Sequence, residues 1–87
     1  MKIERQTLKI VHPSYYLEKS MVEVVYLGQT VDGIPDGVGI IYSTSYPTFY
    51  GSVIMKQGKI YKNALIIHNS GEAYFFDKMN ENGRPDS

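Results

Sequence analysis

His68, Ser70 and Glu72 are the residues of this 87-residue chain whose types match a hydrolytic triad and whose positions lie close together. In such a triad a histidine takes the proton of a serine hydroxyl while a carboxylate orients the imidazole, which is acyl-transfer chemistry. The spacing works against it. The three residues straddle Asn69-Ser70-Gly71, a turn signal, and no nucleophile elbow surrounds the serine. The second histidine, His12, stands next to Pro13. There is no cysteine, and neither histidine has acidic residues spaced to complete a metal-ligand set. Asp36-Gly37-Val38-Gly39 has the glycine content of a phosphate-cradling loop, but a β-rich run follows it where a helix N-terminus would be needed to hold the anion. The expectation is a chain with no catalytic residue, no metal and no cofactor, and therefore not an enzyme.

Residues suited to binding are more plentiful. Lys56, Lys59 and Lys62 surround Gln57-Gly58 with Tyr61 among them, and no acid occurs between Asp36 and Glu72. Such a patch suits phosphate, phospholipid headgroups or an acidic protein surface. Lysines at a hairpin tip more often serve to keep strand edges solvated. Of the eight tyrosines, at 15, 16, 26, 42, 46, 50, 61 and 74, most suit half-buried sheet positions. Tyr15, Tyr16 and Tyr46, the last beside Pro47, are the best candidates for exposed contacts, and Tyr61 and Tyr74 complete the set of partner-binding candidates.

Composition narrows the classes. Lys plus Arg and Asp plus Glu balance at nine each, which argues against strong attraction to nucleic acid and leaves only weak attraction to an anionic membrane. The N-terminal MKIERQTLKIVHP lacks the apolar run of a signal peptide, and no segment approaches the length of a membrane span, so a cytoplasmic location is expected. A chain of this length forms one small domain, able to bury only about 60–65% of the surface its unfolded form exposes.

The elements that would position these residues are strands. Residues 2–11 alternate weakly and read as a strand ended by His12-Pro13; residues 14–20 are short enough for one helical turn at most. From Met21 onward, apolar runs at 21–27, 38–42, 49–55, 60–67 and 73–76 are separated by Asp32-Gly33, residues 44–47, Gln57-Gly58 and Asn69-Ser70-Gly71. The fold expected is all-β: an antiparallel meander of consecutive hairpins over residues 21–87, with residues 1–20 as an N-terminal cap, in one domain spanning 1–87.

The runs also repeat. Tyr26-Leu27-Gly28 and Phe49-Tyr50-Gly51 are aromatic-x-Gly units 23 residues apart, and Tyr74 begins a third unit 25 residues later. Gly33 follows Tyr26 by seven residues and Gly58 follows Phe49 by nine, which reads as a two-residue insertion in the second turn. The positions Tyr26, Gly28, Gly33, Gly37 and Gly39 resemble the MORN repeat (membrane occupation and recognition nexus), a hairpin unit of roughly 23 residues that stacks into an elongated sheet. The resemblance covers residues 26–59, with Phe49, Gly51 and Gly58 in the second unit, and fades toward 87. Lys62 and Ala64 stand where the second unit's late glycines would fall, and Phe76 replaces the early glycine of the third.

The interior glycines would leave slots in which aromatic rings lie on the backbone, making a strip from one hairpin to the next. The opposite face, expected to carry Val22, Val24 or Leu27 with Ile40, Tyr42 and Ile54, is too apolar to stand bare; either the segment around Tyr15, Tyr16 and Leu17 or a second copy would cover it. The function expected is a non-enzymatic protein-binding or scaffolding module, with a homodimer through the open edge at 72–78 as its simplest partner. The resemblance implies weak association with anionic phospholipid as one alternative. A small phage or mobile-element inhibitor that occludes a host complex is another.

Overall fold

The computed structural model describes residues 2–11, 21–44 and 48–79. Tyr15, Tyr16 and Tyr46, His12, the short helical turn expected at 14–20 and the polar tail lie outside the described residues. Six strands follow one another: β1 (Lys2–Val11), β2 (Met21–Val31), β3 (Ile34–Ser43), β4 (Phe49–Lys56), β5 (Lys59–His68) and β6 (Ala73–Lys78). They form a single antiparallel sheet in chain order, β1-β2-β3-β4-β5-β6. This is the all-β meander that the turn signals predict. One difference concerns β1, which does not cap a face. It pairs with β2 through ten positions, Lys2 opposite Thr30 to Val11 opposite Met21, and forms one edge of the sheet.

Two of the connections are two-residue turns. Asp32 and Gly33 have φ of 54° and 78°, and Gln57 and Gly58 have φ of 52° and 82°. Positive φ at both central residues matches the right-handed twist of the flanking strands, which is why Asx-Gly and similar pairs occupy such turns. The second turn is no longer than the first. The two additional residues lie in β4, which runs seven residues beyond Phe49 where β2 runs five beyond Tyr26.

Alternation along each strand divides the side chains between two faces. The inner face buries Ile10, Val22, Val24, Tyr26, Ile41, Phe49, Val53, Met55, Ile60, Ala64, Ile66, Phe76 and Met79, with Leu8 packed against them. Val22 and Val24 therefore share a face with Tyr26 and are not on the opposite one, because residues two apart in a strand point the same way. Burying each of the larger side chains contributes roughly 1.5–3 kcal/mol. The molecule measures 33 × 25 × 19 Å, thicker than the roughly 10 Å of one flat layer, so the sheet is curled. Register shifts at Gly28/Thr30 on the β2–β3 ladder and at Ser52/Ile54 and Ile54/Met55 on the β4–β5 ladder supply the bend.

Tyr26 closes the first hairpin. Its ring is fully buried over Gly28 and Gly39, which pair across the strands; a Cβ on Gly39 would stand 2.4 Å from Tyr26 Cε1. The Tyr26 hydroxyl donates to the Gln29 carbonyl at 2.7 Å, and the Gln29 side-chain oxygen accepts the Val38 N–H at 2.8 Å across the bulge. Gly37, with φ of 105°, passes the Gln29 side chain so closely that a Cβ would clash with it. The expected strip of rings over glycines is thus confined to the hairpin that owns the ring. At Gly51 the close neighbour is backbone, the Leu65 carbonyl, and the residue paired with Gly51 is Ile66. Register therefore puts Ile66 at the position equivalent to Gly39; Lys62 and Ala64 are offset from it by the β5 bulges.

Candidate functional site

The corner after β5 holds the three residues with triad chemistry. Its backbone is closed by the Gly71 N–H on the His68 carbonyl at 2.9 Å and the His68 N–H on the Glu72 carbonyl at 2.7 Å. The Ser70 hydroxyl donates to Glu72 Oε1 at 3.4 Å, and the Tyr74 hydroxyl donates to Glu72 Oε2 at 2.6 Å. His68 meets Tyr74 edge to face, with ring centroids 5.4 Å apart, and lies 6.1 Å from the Phe49 ring; Tyr74 in turn stacks on Phe76. The serine thus addresses the carboxylate directly, and the imidazole is one member of an aromatic row. The Tyr74 hydroxyl, with help from Ser70 and the nearby His68, holds the Glu72 carboxyl below its ordinary range. Among the described residues no group of three or more His, Cys, Asp or Glu is placed to hold a metal ion.

The β4–β5 tip brings together four of the candidates named from sequence. Lys56 and Lys59 face each other across the ladder, and the Lys56 and Lys62 ammonium groups lie 4.9 and 5.7 Å from the centre of the exposed Tyr61 ring. Lys62 is opposite Lys78 on β6, a second like-charge pair. Each ammonium gains from the ring quadrupole, which offsets part of the repulsion between neighbours. Tyr74 stands apart from this cluster, opposite Ile66, about 13 Å further along the strand.

The outer face of the sheet forms a larger feature. One continuous row runs Leu27, Ile40, Ser52, Leu65, Phe75 across β2 to β6, each directly opposite the next. The adjacent row runs Val25, Tyr42, Tyr50, Ile67, Ala73. Neither row contains a charged residue between β2 and β6. Ile40 is 50%, Tyr50 55% and Phe75 61% exposed, while Val25 is buried within the same surface. Arg5, on the β1 edge, donates to the Tyr42 hydroxyl at 3.3 Å. Beside the Tyr42 and Tyr50 rings a hollow of about 190 Å³ is lined also by Thr48, Phe49 and Asn69. Alternation in the sequence places Leu27, Ile40 and Tyr42 on a face too apolar to stand bare. Tyr50, Leu65 and Phe75 join them only through the cross-strand register.

A second hollow, about 460 Å³, opens between the ends of β1 and β2 among Lys2, Glu4, Thr30 and Asp32. Its buried Thr30 hydroxyl donates to Glu4 Oε1 at 2.5 Å, so these two polar groups satisfy each other. Among the described residues no helix is long and apolar enough to cross a membrane. Comparison of the chain with protein-family models, with curated proteins and with solved structures finds no match in any of the three.

Proposed function

We propose that this protein is a non-enzymatic binding module whose partner is a protein, engaged through the outer face of the sheet, and that its hairpins are MORN-like units. The observation that carries this reading is the pair of uncharged rows from β2 to β6, exposed along most of their length. Soluble monomers rarely leave contiguous apolar patches larger than a few hundred Å² uncovered, and larger ones mark interaction surfaces. Aromatic residues such as Tyr42, Tyr50 and Phe75 suit an interface core, being large and rigid with few rotors to immobilise. The experiment is photo-crosslinking in the native host from benzoyl-phenylalanine placed at position 50 or 75, with position 57 as control. Protein adducts from 50 and 75 and none from 57 are expected. The absence of any protein adduct at both outer-face positions rules the reading out.

A second reading is favoured by the lysine tip. Lys56, Lys59 and Lys62 gather at one tip, and Lys78 stands opposite Lys62, a local concentration of positive side chains that suits an anionic surface. Attraction to anionic lipid amounts to about 1 kcal/mol per lysine near the surface, so attachment through this tip is weak and reversible. Vesicles containing phosphatidylserine should then co-sediment the protein at low salt and release it at high salt; no sedimentation at low salt excludes lipid binding.

A further inference from the structure

We infer that the protein occupying the outer face is a second copy of this chain, packed face to face to form a two-layer β-sandwich. This rests on the reading of that face as a protein-binding surface and names its partner. The strands curl round one core on the inner face, which leaves the outer face as the sheet's second packing surface. Sheets pack aligned within about 30°, their facing side chains interdigitating across roughly 10 Å. The outer face has the relief this needs: Ser52 is the one small side chain in its row, flanked by Ile40 and Leu65, and leaves a notch for a partner's larger side chain.

Area and charge support the identity of the partner. The exposed parts of Leu27, Val38, Ile40, Tyr42, Tyr50, Leu65 and Phe75 amount to something on the order of 700 Å², close to the roughly 800 Å² that each side of a standard-size complex contributes. The chain has a formal net charge of zero, so identical copies approach without long-range repulsion. A two-fold axis running across the strands places the lysine tip of one copy over the end of the partner that carries Glu72. That arrangement is the one we assign. The surface used is the face and not the β6 edge.

Sedimentation equilibrium of the full chain from about 1 to 500 µM tests this, with a dimer of micromolar dissociation constant expected for an interface of this size. Ile40→Asp and Leu65→Asp change exposed side chains and should leave circular dichroism and urea unfolding of the monomer intact while weakening dimerisation at least about tenfold. Because the chain has no cysteine, Ser52→Cys supplies a unique thiol at the middle of the face, and a short bis-maleimide should link it to its symmetry mate. A wild-type protein that stays monomeric at the highest concentration, or a dimer unaffected by both aspartates, overturns the inference. Should the wild type be monomeric, crosslinking from positions 50 and 75 separates the two ideas. An adduct with a different protein leaves the binding reading standing, and no adduct removes both.

Discussion

Gly39 and Tyr26 show how closely single residues are constrained. The glycine exists because the tyrosine ring occupies the place its Cβ would take. Gly39→Ala should therefore cost about 1–3 kcal/mol of overpacking, read as a lower urea midpoint; an unchanged midpoint would show that the ring moves aside freely. Burial, and then the charge of Asp36, raises the Tyr26 pKa above its ordinary value of 10.0. With the folded pKa above the unfolded one, the native state keeps its proton where the unfolded chain has lost it. The stabilisation is thus complete below about pH 10 and is lost as pH rises toward the folded value. Tyr26→Phe should flatten that alkaline decline, and a decline of unchanged slope would assign it to other groups. Glu72 behaves in the opposite sense. Its carboxyl is lowered chiefly by the Tyr74 hydroxyl, so its contribution is present above the unfolded carboxyl pKa and fades as pH falls through the folded one. Tyr74→Phe should move the Glu72 titration, followed by NMR, upward toward the ordinary range; no movement would mean the hydrogen bond does not persist in solution.

Each hairpin combines a legible turn with an illegible bulge. Asp32-Gly33 and Gln57-Gly58 announce themselves because few residues accept positive φ at two successive positions. The bulge at Gln29 does not, since what stabilises it is a side-chain oxygen standing in for a backbone acceptor at Val38. The second hairpin shows the consequence. A spacing of nine between Phe49 and Gly58 suggests a longer turn, yet the register places those residues in the strand and gives Gly51 the partner Ile66. At the same hairpin's tip the facing lysines offer a direct measurement. Directly opposed like charges are unfavourable, so Lys78→Glu, opposite Lys62, should stabilise the sheet by about 0.2–1 kcal/mol. The gain should shrink as salt screens the pair. A loss of stability at low salt would show that the lysines are held by interactions the substitution breaks.

For the whole molecule, the consecutive strand order makes stability a nearest-neighbour matter, as in repeat proteins. Strand β6 is the shortest, with five paired positions against ten for β1, and it lies at an edge. Amide exchange should accordingly be fastest in Ala73–Lys78 and slowest around Tyr26 and Ile41, where both neighbours are paired and the core is deepest. Protection of β6 equal to that of β3 would indicate that its outer edge is covered, and would favour pairing through the edge over packing through the face.

The sequence by itself determined the class and the order of the elements. Glycine turns, β-branched runs and alternation act over two to ten residues, and such local terms are readable without knowing what lies across the sheet. It also identified Tyr26, Gly28 and Gly39 as one structural unit, and a face carrying Ile40 and Tyr42 as too apolar to stand bare. Which residues line up on that face was decided only by the tertiary structure. A shift of one residue in pairing exchanges the two faces of a strand, and three register irregularities lie between Leu27 and Phe75 or beside their path. The uncharged rows of the outer face are products of those bulges, whose causes, such as the Gln29 side chain reaching Val38, are contacts between strands.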